Sequence, residues 1–236
     1  MGARCEDGVV IVADTKIVES NGDIRYENKT KCYLQDAVWA ASGTREDFGW
    51  LTDQLEEKIG KRIDVGRLRP LISERIRERH KQGFLDPFDL MLGIRYPGEL
   101  KARLFHFNDL GGSDEIYSNY VIGAGEPLGR YFLKKYYVPR MPTYKAMALA
   151  FFIIRYIEVE KLDNTVGIGD GTPTVWWVPD LPDDSFKEGK MAHPGIPFQV
   201  RQEEEAVIRS IMVQSNDMVD AWREHDSNFF VEGTWK

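Results

Sequence analysis

One stretch near the start constrains the fold more than any other: Asp7-Gly8-Val9-Val10-Ile11-Val12-Ala13-Asp14. The acidic–glycine pair, with Cys5-Glu6 before it, marks a turn, and the β-branched run after it reads as a strand. That run is apolar at consecutive positions, so neither face suits water, and a central strand covered on both sides is expected. Taken alone, the pattern is also that of an ordinary hairpin in a core sheet.

The rest of the chain falls into blocks. Ser20-Asn21-Gly22-Asp23 marks a hairpin or loop. Lys31–Leu34 and Ala37–Ser42 form a second hairpin turning near Gln35-Asp36, and Thr44 is placed to cap a helix. Helical spacing predicts helices near 45–60 (Phe48, Leu51, Leu55, Ile59) and 66–82 (Leu68, Leu71, Ile72, Ile76). Strands are expected at Phe88–Arg95, Ala102–Phe107 and Tyr117–Ile122. Two further helices follow, the first from Gly125-Glu126-Pro127 to about Tyr137 and the second from Pro142-Thr143 to about Leu162. A strand pair is expected over Gly167–Gly171 and Thr174–Val178, then an irregular excursion over 179–198 and a last helix from Arg201 to Arg223. Strands and helices segregated in this way suggest antiparallel sheets with helices layered outside, not βαβ units.

Composition sets the class. The 236 residues, 42% apolar and 29% charged, suit a soluble globular protein with a substantial core. The longest apolar run, Ala146 to Ile154, is far too short to span a membrane. No secretory leader is visible. Two cysteines, Cys5 and Cys32, exclude a disulfide scaffold or a four-cysteine zinc site, and His80, His106, His193 and His225 show no ligand spacing. A net charge of -7 argues against general nucleic-acid binding and suits a cytoplasmic protein. Neither a metal nor a cofactor is expected.

The ordered set of motifs says more than any one of them. After the opening hairpin come Lys31 at the start of the next strand pair, Ser42-Gly43 at its end, Gly123-Ala124-Gly125 before one helix, and Asp163-Asn164-Thr165-Val166-Gly167 after another. In this order, over roughly residues 1–178, the chain resembles proteasome β-type subunits of the N-terminal-nucleophile hydrolase family. The resemblance implies an α+β fold, a four-layer αββα sandwich with two antiparallel sheets between helix layers. The block order points the same way independently. It also implies a threonine nucleophile whose own α-amine acts as base. By that resemblance Asp14 and Lys31 form a polarising pair, Gly43 supplies the oxyanion-binding N–H, and Asp163 supports the cleft from a distal loop. Implied partners are other subunits of a homo- or hetero-oligomeric ring and, for an active member, unfolded protein or peptide.

The departures are specific. The nucleophile position falls three residues before Met1, and Thr15, Thr30 and Thr44 are internal. Ala124 and Val166 stand where assisting serines are usual, and neither side chain can donate a hydrogen bond. The expectation is therefore either a non-catalytic subunit that keeps the fold and assembles, or a chain whose true start lies upstream with threonine. A peptide-ligating or amide-hydrolysing enzyme on the same fold, or a stand-alone binding or scaffold subunit, are the alternatives.

Other features have plainer readings. Cys5 and Cys32 lie in strand patterns and read as buried structural thiols. The basic stretch from Lys61 to Lys81 reads as a solvated helix face, since Glu74 and Glu78 interrupt it. Gly167-Ile168-Gly169-Asp170-Gly171 lacks the Lys-Ser/Thr of a phosphate loop and reads as a turn. Trp176-Trp177, Phe229-Phe230 and Trp235 are candidate subunit anchors or intramolecular packing groups. The domain expectation is one unit over 1–236, with 179–236 a C-terminal extension and helix packed on it.

Overall fold

The alternation of side chains along the apolar strand decides the architecture. A computed structural model of the chain describes residues 1–18, 22–33, 37–43, 45–59, 65–83, 87–169, 173–181 and 198–199. In chain order the elements are β1 (Gly2–Arg4), β2 (Gly8–Ala13), β3 (Lys16–Val18), β4 (Ile24–Tyr26), β5 (Thr30–Tyr33), β6 (Ala37–Ser42), α1 (Arg45–Ile59) and α2 (Leu68–Lys81). There follow β7 (Asp89–Ile94), β8 (Arg103–Phe107), β9 (Ser113–Ile116), β10 (Asn119–Tyr120), α3 (Glu126–Tyr136), α4 (Thr143–Val159), β11 (Thr174–Pro179) and β12 (Phe198–Gln199).

All six residues of β2 are buried. Val9 and Ile11 face one way, into a layer with Val38, Ala40, Met91 and Leu104. Val10 and Val12 face the other way, onto Ala146, Ala150, Phe151 and Ile154 of α4. This is the period-2 alternation of a strand covered on both sides. Each fully buried Val or Ile contributes about 1.5–3 kcal/mol.

Two five-stranded sheets result. One has the order β10-β1-β2-β11-β12 and the other β5-β6-β7-β8-β9, with β3-β4 a separate hairpin. All strand pairs are antiparallel. The second sheet repeats the alternation of β2. Trp39, Leu90, Leu92, Phe105 and Phe107 pack on Leu51, Leu55, Leu68, Ile72 and Ile76 of α1 and α2. Its opposite face, with Val38, Ala40, Met91 and Leu104, meets the first sheet. There Gly93 brings the sheets close: a Cβ on it would lie 3.2–3.4 Å from Val9, Ile11 and Val38. On the far side α3 packs on α4 through Phe132, Leu133, Leu149 and Phe152. The layers are therefore helix, sheet, sheet, helix, as the block order implied.

Several boundaries differ from the sequence reading. Of the strand expected over 117–122 only β10 is strand: β9 has already ended the second sheet at Ile116, and β10 crosses to pair with β1 in the first. The crossing is possible because the segment lies on the rim, with Tyr117 80% exposed. The segment 167–169 is not a strand; it is drawn instead into hydrogen bonds with neighbouring segments, described below. The basic helix face is not uniformly solvated. Arg75 and Arg79 are buried, Arg79 lies over the Phe88 ring, and Arg69 lies over Phe105 while its guanidinium binds Ser113. Their aliphatic stems and planar heads serve as packing groups of the helix layer. Trp176 is an intramolecular group, buried between the sheets. The expected turn at 35–36, the Thr44 cap, Lys61, Arg62, the helix 201–223, Phe229, Phe230 and Trp235 lie outside the described residues. Of the expected extension, β12 is seen to pair with β11.

One buried hydrogen bond joins the sheets. The Trp176 indole N–H donates to Thr30 Oγ1 at 2.7 Å, and the Thr30 hydroxyl donates in turn to Asn28 Oδ1. Thr30 is 4% exposed and Trp176 7%, so water cannot replace either partner. Thr30→Val, which keeps the shape and removes the acceptor, should lower stability by about 1–3 kcal/mol. Urea unfolding followed by tryptophan fluorescence measures it; a change within error would show that the inter-sheet bond contributes nothing.

Candidate functional site

The ends of the central strands open into a cleft of about 570 Å³. Its floor is the end of β2 at Asp14, its rims are the β3-β4 hairpin and the turn after β6, and its inner wall is α4. Asp14 stands just past the buried run, where the strand leaves the core and a charge becomes tolerable.

The cation that meets Asp14 is Lys29. Its ammonium donates to both carboxylate oxygens, at 3.0 and 2.9 Å, and the two side chains are 25% and 18% exposed. Lys31, expected in that place, lies two residues on, inside β5 and opposite Trp39. The reason is the pleat. Thr30 and Cys32 face the other sheet, so Lys31 is held on the helix side. Lys29 precedes the strand, in a turn closed by Asn28 Oδ1 accepting from the Thr30 N–H at 2.8 Å, and is free of that alternation.

Gly43 lines the cleft in the turn that leaves β6. Its φ of +147° is one that side chains rarely adopt, and a Cβ there would lie 2.9 Å from the Phe88 ring. The turn thus requires glycine, and it leaves a backbone segment bare at the cleft. Asp163 does not reach Asp14. Its Oδ1 accepts from the Thr165 N–H at 2.7 Å and from the Thr165 hydroxyl. It closes the turn that carries Thr165 and Val166 to the cleft wall. Asp14, Lys29 and Gly43 therefore share the cleft, Asp163 shapes its edge, and Lys31 stands apart. Ala124 and Val166 line the cleft as sequence placed them.

Other contributing groups carry no motif of their own. The Gly167 N–H donates to Asp14 Oδ2 at 3.3 Å, and its carbonyl accepts from the Thr15 and Lys16 N–H groups at 3.2 and 3.0 Å. Asp89 stands opposite Ser42 at the mouth, with its Oδ1 2.8 Å from His106 Nε2 and the His106 ring stacked on Tyr120. In the sequence, the charge of Asp89 at the start of β7 and the place of Gly167 at the end of the Asp163–Gly167 motif were the hints to them. Among the described residues no group of His, Cys, Asp and Glu is arranged to hold a metal ion. No helix among them is long and apolar enough to cross a membrane.

Comparisons with known proteins bear on this geometry. No protein-family model matches the chain. The chain is 29% identical over 161 residues to the proteasome subunit alpha of Methanococcus maripaludis (strain C7 / ATCC BAA-1331) and to that of Methanococcus vannielii, covering 65% of this chain and 62% of each relative. It thus spans about three fifths of the length of the curated relatives it matches. Among solved structures, Anbu (ancestral beta-subunit) from Yersinia bercovieri superposes with a TM-score of 0.71 at 16% identity, over 96% of this chain and 97% of that one. Anbu from Hyphomicrobium sp. strain MC1 gives 0.70 at 15% identity, over 97% of both chains. The chain has the proteasome-subunit fold. Its curated relatives are named as α subunits and its structural neighbours as β-type, and what they share is that fold.

Cys5 is a buried thiol at 3% exposure. Burial pushes it up to about 12, against a smaller opposing hydrogen bond with Thr143. At neutral pH it holds its proton and is a poor nucleophile. Because the unfolded chain loses this proton near its ordinary value of 9 while the folded chain keeps it, Cys5 lowers stability as pH rises from about 9 to 12. Native protein treated with iodoacetamide at pH 8 should remain unmodified at Cys5 and react fully in denaturant, as read by peptide mass spectrometry. Rapid native labelling would contradict the burial.

Lys29 gives the companion prediction. Lys29→Met strips Asp14 of its cation and leaves it the hydrogen bond from the Gly167 N–H. A loss of about 1–3 kcal/mol is expected from deleting hydrogen bonds to a charged group. Urea unfolding of both proteins measures it; a difference within error would show that the ion pair contributes nothing.

Proposed function

We propose that this chain is a proteasome-like β-type subunit of intracellular protein degradation that assembles with other such subunits into a ring. The observation that carries the reading is the meeting of Asp14, Lys29 and the bare Gly43 turn in one cleft at the end of the two-sheet sandwich. A fixed acid–cation pair beside a backbone donor is what amide attack needs around its nucleophile. Extended peptide, drawn from unfolded protein, is the fitting occupant. We place the protein in the cytoplasm, with neither nucleic acid nor membrane as partner, and read 1–236 as one domain bearing a C-terminal extension over 179–236.

Residues 1–236 supply the supporting groups. The Met1 carbonyl accepts from the Val12 N–H at 2.8 Å, so residues joined ahead of Met1 along the β1 ladder would run beside Ala13 and Asp14. A threonine there with a free amine would attack the amide carbonyl carbon through Oγ, its amine taking the hydroxyl proton. The Gly43 N–H would face the oxyanion. The amine proton would pass to the leaving nitrogen, and water would then hydrolyse the ester. Lys29 thus takes the role that the resemblance implied for Lys31, and Asp163 supports through its turn. Without that threonine the cleft is a binding and assembly feature. The curated relatives favour a second reading, an α-type subunit with no catalytic role.

Three measurements separate these. Native mass spectrometry of residues 1–236 should give a multiple of 27.2 kDa; a strict monomer counts against assembly. The same protein should not turn over fluorogenic peptides, and robust turnover would refute the nucleophile argument. A version carrying threonine three positions ahead of Met1, released with a free amine, should gain turnover if the subunit is β-type. Continued silence from that version, in an assembled ring, supports the α-type reading.

A further inference from the structure

Asp14 is held from a direction that its ion pair does not explain. Glu158 stands in the last turn of α4, 18% exposed, where the helix is otherwise apolar on its inner face. Its Oε2 accepts from the Arg155 guanidinium at 2.6 Å. Its Oε1 accepts from two successive backbone groups, the Ile168 N–H at 3.0 Å and the Gly169 N–H at 2.8 Å. The residue just before these is Gly167, whose N–H donates to Asp14 and whose carbonyl binds the segment after Asp14. There is little slack in the arrangement: a Cβ on Gly167 would lie 2.5 Å from Glu158 Oε1. On the outer side Gly169 packs under Tyr26 of the β3-β4 hairpin, where a Cβ would lie 2.6 Å from the Tyr26 ring.

We propose that Glu158 is a positioning residue for the cleft. Through the 167–169 segment it fixes the Gly167 peptide, and through that peptide it fixes the Asp14 carboxylate and the Lys29 ammonium bound to it. A carboxylate that accepts two backbone N–H groups and a guanidinium makes charge-assisted bonds, roughly twice as strong as neutral ones. It is therefore a stiff anchor for a segment without regular structure. Glu158 touches no occupant of the cleft. Its importance to catalysis rests on the reading proposed above, whereas its hold on Asp14 does not.

The test reads Lys29 directly. An ammonium held by a carboxylate acylates slowly, because only its free neutral form reacts. Competitive acetylation with acetic anhydride at one fixed pH, quantified by mass spectrometry, should report Lys29 as protected by its two bonds to Asp14, and Asp14→Asn should release it as a positive control. In Glu158→Ala, amide exchange at 168 and 169 should rise at least tenfold, and Lys29 acetylation should rise several-fold toward the Asp14→Asn level. Glu158→Gln keeps an oxygen for the two N–H groups and loses the ion pair with Arg155, so it should restore Lys29 to within about twofold of the unsubstituted protein. Unchanged Lys29 labelling in Glu158→Ala, or equal release in Glu158→Gln, overturns the proposal. Core amides in β6 and β7 report whether each variant is folded. Should Glu158→Ala not fold, Gly167→Ala, whose Cβ presses on Glu158 Oε1, must raise Lys29 labelling, and protection there overturns the proposal. Neither peptide turnover nor assembly enters these measurements, so failure of the preceding reading leaves this one untouched.

Discussion

The structure depends on a strand that has no side to give to water. β2 carries Val9 and Ile11 toward one sheet and Val10 and Val12 toward α4. A sheet with one solvated face cannot accommodate that pattern, and an antiparallel hairpin next to it excludes the parallel α/β solution. What remains is a stack in which β2 has helices on one side and a second sheet on the other. The second sheet must then be covered as well, and Trp39, Phe105 and Phe107 on its outer face require α1 and α2. Four layers follow from one strand because each cover exposes the next apolar face.

The cleft is the place where this burial stops. Beyond Ala13 the chain can carry charge, and the first residue to do so, Asp14, sits where both sheets end and α4 approaches its last turns. Its environment is only partly wet, so its charge needs partners. Three chain segments supply them or are ordered by them: the turn before β5 through Lys29, the segment after α4 through Gly167, and its own continuation into β3. The Trp176–Thr30 hydrogen bond lies next to Lys29 in sequence and clamps the two sheets at that end. Electrostatics and packing therefore lock the same region, which keeps the cleft at a fixed width.

Much of this was legible in the residues, and the misses have physical reasons. Apolar alternation and turn residues locate β2, β6, β7, β8 and the helices because those signals are local. The resemblance pointed to Lys31, whereas Lys29 is the cation on Asp14 in the structure: residues 29 and 31 look equivalent in a strand pattern, and the Asn28 turn that starts the strand after Lys29 shows only in space. The segment 117–122 has strand composition but changes sheets at an exposed corner, which no periodicity encodes. Arg75 and Arg79 look like solvent-facing charge until tertiary contacts bury their stems. Glu158 was invisible because the partners that tie it to the cleft are backbone N–H groups, which have no sequence signature, and its pairing with Arg155 looks like any ion pair along a helix.

The wall facing Asp14 bears on what such a cleft is kept for. Ala124 and Val166 are apolar where hydroxyls would extend a proton network, and Gly125 fits so closely under Val166 that a Cβ would come within 3.2 Å of it. Neither of those two side chains can accept or pass on a proton, although Ala124 itself is exposed and Thr165 stands beside Val166 at the cleft. On the proposed reading, proton transfer in this cleft falls to the nucleophile's own amine and to water. A pair that joins the end of β2 to the start of β5 has reason to persist in a subunit that only assembles. On the proposed reading its presence favours hydrolysis without establishing it, and what decides is whether a threonine with a free amine stands ahead of Met1 along the β1 ladder.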